Sequence, residues 1–354
     1  MIERARNFAE EYRDLEYRVE KGCIYPLDKN ENLYIPRETM KEIMARAIER
    51  IDPRTYPDEE EEELREEIAK AYSLNSESIV LTNGGDEAID LLLSLTGSLA
   101  KTPRIAILRP SFPMYSIRSL LRGYRVEYIE LSEKNFSVDV EKAVEIASRS
   151  DLVFLCSPNN PTGNILPREL IRAVAETSKG MVVLDQAYRE FSEDPQDDLL
   201  EKFDNIVAVR TFSKAYGLAG LRLGYIVAHR DISRALKILR LPFQLNKFTL
   251  AVGIEALGMR DKLLRYVDEV KRARKALVSR LRNIDYLETY DTQTNFVFSK
   301  IYIDPHRVVR ALKGEGICVK LYRGLFKSGD SYLRITTPDD RTIELLVKVL
   351  QNVY

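Results

Sequence analysis

Seven apolar, β-rich runs, at 78–81, 104–108, 125–129, 151–155, 181–185, 206–210 and 223–227, are separated mostly by segments with helical periodicity. Such alternation predicts an α/β fold with a mostly parallel sheet, because parallel neighbours need a long crossover, usually a helix, to return the chain. The runs LVFL (152–155) and MVVL (181–184) are apolar at every position, as strands covered by helices on both faces require. Between Arg37 and Ile51, Met40, Ile43, Met44, Ala47, Ile48 and Ile51 recur at helical spacing after Pro36 and predict an amphipathic helix. After Pro242 the pattern changes to a long helical stretch over 247–282. Short strands follow at 286–290, 295–299, 316–320 and 331–335, with helices near 305–313 and 339–351. We therefore expect a large domain over 37–245 with a seven-stranded sheet between helices. A smaller α+β domain is expected from 246–354 together with 1–36, the latter supplying an amino-terminal arm.

Composition narrows the function. With 54 Lys+Arg against 55 Asp+Glu, there is no excess positive charge to neutralise nucleic-acid phosphate. The six acids of Asp58–Glu63 follow Pro57 and read as a helix start, where the dipole favours negative charge. Cys23, Cys156 and Cys318 stand too far apart for a zinc-binding pair, and no disulfide is expected among them. His229 and His306 are the only histidines, both expected at the surface, and leave too few imidazoles for most His-based metal sites. The first twenty residues are charged throughout and lack a secretory apolar core, and no apolar stretch approaches the roughly 20 residues of a membrane span. A cytoplasmic protein is expected. There is no Walker A loop, G-x-G-x-x-G fingerprint or G-x-S-x-G elbow.

Open α/β sheets bind ligands outside the carboxyl ends of their strands, which directs attention to three loops. The first is Cys156-Ser157-Pro158-Asn159-Asn160-Pro161-Thr162-Gly163, a turn stiffened by prolines that can hold an amide in place. In the second, Asp185 is followed three residues on by Tyr188; alone, Asp185 reads more readily as a helix cap. The third, Thr211 to Arg222, joins Thr211, Ser213, Lys214, glycines and Arg222. A lone lysine there reads as a solvated side chain, but the three loops together point to a site.

Together with Asn30-Glu31-Asn32, Tyr56-Pro57-Asp58, Thr82-Asn83-Gly84-Gly85-Asp86-Glu87, Pro110-Ser111-Phe112, RLPF (240–243), Asn295-Phe296 and Leu333-Arg334-Ile335-Thr336, these loops resemble the fold type I pyridoxal-phosphate (PLP) aminotransferases over nearly the whole chain. The sequence is most similar to the histidinol-phosphate aminotransferase branch. The resemblance implies that Lys214 holds PLP and moves the proton between substrate Cα and cofactor, while Asp185 keeps the pyridine nitrogen protonated. It further implies that Tyr188 and Asn160 bond the ring's phenolic oxygen and that Phe112 stacks on the ring. Gly85 and Asp86 at a helix start, with Thr211, Ser213 and Arg222, are implied as phosphate ligands. Tyr56 is implied to reach the phosphate of a partner subunit in a homodimer, and to border the substrate. Arg334 resembles the substrate-anion clamp, a role suited to a planar bidentate donor.

Three positions depart from the branch's pattern, and one of them bears on the chemistry. Gly316-Ile317-Cys318-Val319 is followed by Lys320 where the branch usually carries arginine, so Lys320, with Arg323 nearby, becomes the candidate for a substrate phosphate. Leu33 and Gln186 also depart but carry no assigned chemistry. The implied reaction belongs to histidine biosynthesis and transfers an amino group from histidinol phosphate to 2-oxoglutarate. An aromatic amino acid donor is the alternative; a threonine-phosphate decarboxylase and a non-catalytic protein share the scaffold.

Overall fold

The computed structural model describes residues 1–13 and 22–353; the arm stretch at 14–21 lies outside the described residues. The chain opens with α1 (Ile2–Glu11), β1 (Tyr25–Pro26), α2 (Arg37–Arg50) and α3 (Glu59–Tyr72). The large sheet takes β2 (Ile79–Thr82), β3 (Arg104–Arg109), β4 (Arg125–Glu130), β5 (Leu152–Cys156), β6 (Met181–Asp185), β7 (Ile206–Thr211) and β8 (Gly224–Val227). Interleaved are α4 (Gly84–Leu99), α5 (Met114–Leu121), α6 (Val140–Ser148), α7 (Arg168–Thr177) and α8 (Asp198–Lys202), with α9 (Arg230–Leu239) after β8. Each of the seven predicted runs becomes one of these strands. Their order is β2-β8-β7-β6-β5-β3-β4, and only β8 runs against its neighbours.

Side chains along each strand divide between two layers, as the period of two dictates. Ile79 and Leu81 join the layer of Ile43 and Ala47 from α2 and Leu64 and Ile68 from α3, whereas Val80 packs with Ile89 and Leu92 of α4. Burying each such leucine or isoleucine stabilises the fold by about 1.5–3 kcal/mol, and this holds the helices to both faces of the sheet. The acidic run is a helix start, as expected, and three of its six charges pair with cations on other elements: Glu60 with Lys247, Glu61 with Arg240 and Glu63 with Arg50, at 2.6–2.8 Å.

The helical stretch after Pro242 consists of α10 (Lys247–Gly258) and α11 (Arg260–Leu281). Beyond it, β9 (Leu287–Thr289), β10 (Phe296–Ile301), β11 (Ile317–Cys318), β12 (Lys320–Arg323) and β13 (Ser331–Thr336) alternate with α12 (Pro305–Gly314) and α13 (Asp340–Gln351). Four of these strands form an antiparallel sheet, β12-β13-β10-β9, over a core of its own. The expected strand at 316–320 splits in two: β11 pairs with β1 from the arm, and β12 joins the sheet.

That pairing overturns the expectation that no disulfide forms. Pro26 lies opposite Cys318, which brings Cys23 to Cys318 with Cα atoms 5.7 Å apart, and the two are bonded across 295 residues of sequence. Cys156 is free and buried. His229 and His306 are exposed, as expected.

Candidate active site

β5, β6 and β7 are adjacent and parallel, so the three loops singled out from the sequence emerge side by side at one rim. Asp185 is the last residue of β6 and is buried. Its Oδ1 accepts the Ala187 N–H at 2.9 Å, and its Oδ2 accepts the Tyr115 hydroxyl at 2.5 Å. Asp185 therefore satisfies a local N–H but caps no helix, since the helical turn that follows, Arg189–Phe191, starts from Tyr188, and its other oxygen faces a buried phenol. Burial raises its pKa; the Tyr115 and Ala187 hydrogen bonds act in the opposite direction.

Lys214 follows β7 and is half-buried, its Nζ donating to the Lys29 carbonyl at 3.0 Å. Burial lowers its pKa to about 8, and the nearby Arg334 charge adds to the effect. The Tyr188 ring lies 5.9 Å from this amine and packs edge-on against Phe296; its hydroxyl accepts from Asn30 Nδ2 at 2.9 Å. Arg334, from β13, is buried and donates through NH1 to Asn160 Oδ1 at 2.7 Å and through NH2 to the Asp28 carbonyl. Its Nε has no hydrogen-bond partner among the described residues. Because Asn160 spends its carbonyl oxygen on Arg334, its amide hydrogens remain available to a ligand.

A second group of residues forms an anion cradle. α4 begins at Gly84 with no side-chain cap, so its first N–H groups, Gly85 and Asp86 among them, face outward unsatisfied by the helix. Ser213 Oγ lies 3.0 Å from Thr211 Oγ1 and 3.5 Å from Arg222 NH1, and Arg222 NH2 bonds Asp86 Oδ2 at 2.9 Å. Gly84 has φ +79°, a left-handed conformation that glycine adopts without strain, and it brings the helix start against the Arg222 guanidinium. Donors of this kind and number suit a phosphate, and the buried carboxylate and half-buried amine beside them suit a pyridine nitrogen and an aldehyde.

Phe112 is half-buried at the same rim, edge-on to Tyr115 with centroids 5.7 Å apart. Two expected residues stand apart from this cluster. Tyr56 is 71% exposed and stacks on Phe243 at 4.6 Å. Lys320 is exposed on β12, but it is the cross-strand partner of Arg334, so both side chains leave the same face of the sheet. Arg323, three residues on, leaves the opposite face and reaches His306 Nε2 at 3.0 Å. Sequence reasoning missed Tyr115 and the carbonyls of Asp28 and Lys29, and assigned no role to Asn30. Tyr115 had a readable signal, a helical turn beyond Phe112; the arm carbonyls had none.

Comparison with known proteins decides the family. Aminotransferase class I and II is matched by residues 24–350. The chain belongs to that family. Among aminotransferases, it is 35% identical to "Histidinol-phosphate aminotransferase 2" of Archaeoglobus fulgidus, over 97% of this chain and 96% of that one. The crystal structure of the histidinol-phosphate aminotransferase from Clostridium acetobutylicum superposes with a TM-score of 0.83 at 25% identity, covering 93% of this chain and 99% of that one. That of Sinorhizobium meliloti, in complex with pyridoxal-5'-phosphate, shares the fold with a TM-score of 0.82 at 23% identity, over 98% and 93% of the two chains. The expected α/β architecture of this aminotransferase thus stands. No described helix is long and apolar enough to cross a membrane.

Proposed function

We propose that the protein is a PLP-dependent aminotransferase that transfers the amino group of histidinol phosphate to 2-oxoglutarate, a reaction of histidine biosynthesis. The observation that carries this reading is Lys214, a half-buried amine with a pKa of about 8, set among Asp185, Tyr188, Asn160 and Arg334 and beside an anion cradle. When bound, PLP supplies an aldehyde to take up the amino group and a pyridine ring to delocalise the electrons left at Cα.

The chain's own residues do the rest. With a pKa of about 8, Lys214 is neutral in roughly a tenth of molecules at pH 7, enough to take a proton from substrate Cα and pass it on to the cofactor, as amino transfer requires. Asp185 holds a proton on the pyridine nitrogen by its negative charge. Tyr188 donates to the cofactor's phenolic oxygen, Asn160 offers its amide hydrogens there, and Phe112 covers a ring face. Gly85, Asp86, Thr211, Ser213 and Arg222 hold the phosphate. Arg334 takes the anionic end of the substrates, and Lys320, on the same sheet face, meets the phosphate of histidinol phosphate.

In this reading 37–245 is the cofactor domain and the described residues of 1–36 and 246–354 the smaller one, except that α10 packs on α2 and α3 and so belongs to the core of the cofactor domain. Ile238, Leu241, Phe243 and Tyr56 are 46–82% exposed, an apolar area whose burial in a cytoplasmic homodimer is in keeping with Tyr56 completing the neighbour's cradle. The reading is tested by loading the protein with PLP and following cofactor absorbance on addition of histidinol phosphate, phenylalanine, tyrosine or threonine phosphate. Histidinol phosphate should react with the highest kcat/KM; faster reaction with phenylalanine or tyrosine would replace this donor by an aromatic amino acid.

A further inference from the structure

Asp28, Lys29 and Asn30 each bond a different residue of the site: Arg334, Lys214 and Tyr188 in turn. The first two contacts use backbone carbonyls, which any residue supplies. The third uses a side chain. Asn30 is completely buried with φ 57°, in the left-handed region, where glycine would meet the backbone requirement at lower steric cost. The side chain present there must therefore contribute something glycine lacks.

Its surroundings define what. The Asn30 N–H donates to Thr336 Oγ1 at 2.9 Å, and its carbonyl accepts from Asn295 Nδ2 at 2.9 Å. The Thr336 hydroxyl hydrogen faces Asn30 Oδ1 at 3.4 Å, which orients the amide with Nδ2 toward Tyr188. A Tyr188 oxygen that accepts from Nδ2 keeps its own hydrogen free. Among the described residues no acceptor takes that hydrogen.

We infer that Asn30 is a positioning residue for the amino-transfer reaction: its amide occupies the acceptor side of the Tyr188 hydroxyl and so directs the hydroxyl hydrogen at the cofactor's phenolic oxygen. This rests on the Tyr188 role proposed above. Hydrogen bonds in a chain polarise one another, so the Asn30 amide also makes Tyr188 a stronger donor. A stronger donor favours the anionic phenolic oxygen and lowers the pH at which the bound cofactor's absorbance changes.

The test titrates that absorbance against pH in the holoenzyme. The proteins compared are wild type, Asn30→Gly, Asn30→Asp and Tyr188→Phe, and Tyr188→Phe combined with each Asn30 substitution. Asn30→Gly keeps the backbone conformation and removes only the amide. Its midpoint should rise by about 0.5 unit or more, a free-energy difference within reach of one hydrogen bond. Asn30→Asp should raise it further, since a carboxylate draws the Tyr188 hydrogen away from the cofactor. Once Tyr188 is phenylalanine, Asn30→Gly should not shift the midpoint and Asn30→Asp should shift it less than it does with Tyr188 present, by the direct effect of its charge alone. An unmoved midpoint in Tyr188→Phe itself overturns the Tyr188 role. A shift in Tyr188→Phe but none in Asn30→Gly, or an Asn30→Gly shift of equal size in both backgrounds, overturns the inference for Asn30 alone. Should Asn30→Gly not fold, the near-isosteric Asn30→Asp decides by the same comparison.

Discussion

The Tyr115 phenol donates to Oδ2 of Asp185 across 2.5 Å, and both groups are buried. A hydrogen bond to a charged group contributes about 1.5–3 kcal/mol, and this one favours the carboxylate against the burial that raises its pKa. Tyr115→Phe should therefore weaken PLP binding by about 10- to 100-fold. Fluorescence titration of the apoprotein measures it. Because the variant's Asp185 takes up a proton at higher pH than wild type, the loss should deepen as pH falls. An unchanged dissociation constant would reduce Tyr115 to a packing residue.

Lys214 yields a stability prediction with a definite sign. Its folded pKa of about 8 lies below the roughly 10.4 of an unfolded chain, so the folded apoprotein sheds this proton first. Charge burial then penalises folding fully below about pH 8, and stability rises as pH climbs from about 8 to 10.4. Lys214→Ala should lack that rise when urea unfolding of the two apoproteins is compared. Borohydride should also fix no cofactor to the variant; a reduced adduct mapped to another lysine would displace Lys214.

Substrate phosphate recognition separates two neighbouring cations. Lys320 shares a sheet face with Arg334, whereas Arg323 leaves the other face toward His306. Lys320→Ala should raise the KM for histidinol phosphate about tenfold or more, the value of one charge-assisted hydrogen bond, and barely affect an aromatic amino acid. Arg323→Ala should leave both within about twofold of wild type, below the 1.4 kcal/mol of a tenfold change. The reverse pattern would move the phosphate site to Arg323.

The bond between Cys23 and Cys318 ties the arm to β11, close to the carbonyls that receive Lys214 and Arg334. Removing it should cost about 2–4 kcal/mol by freeing the unfolded chain. Guanidinium unfolding should show a lower midpoint for Cys318→Ser than for wild type. Dithiothreitol should lower the wild-type midpoint and leave the variant's where it is.

Tyr56 is exposed within its own chain, which a residue completing a neighbour's site requires. Tyr56→Phe and Lys214→Ala subunits, each weak or inactive as a homodimer, should recover activity when mixed, since a heterodimer holds one site with both residues intact. Sedimentation of a fully active monomer would remove Tyr56 from the site.

What the sequence determined by itself was local. Seven apolar runs became seven strands, and those apolar at every position, 152–155 and 181–184, lie at the centre of the sheet because such a segment has no stable place except between two helix layers. The residues at the ends of 152–156, 181–185 and 206–211 were legible as a site because parallel neighbours bring their carboxyl ends to one rim. Tertiary structure alone decided the contacts made across great sequence distance. Cys23 meets Cys318 through a two-residue strand pairing with almost no sequence signal, and against the expectation of three free cysteines. The arm's approach to Lys214, Tyr188 and Arg334 joins residues 158 to 306 positions apart, mostly through backbone carbonyls, which carry no residue identity to read. The sides taken by Lys320 and Arg323 depended on strand register, where a slip of one residue exchanges the two faces.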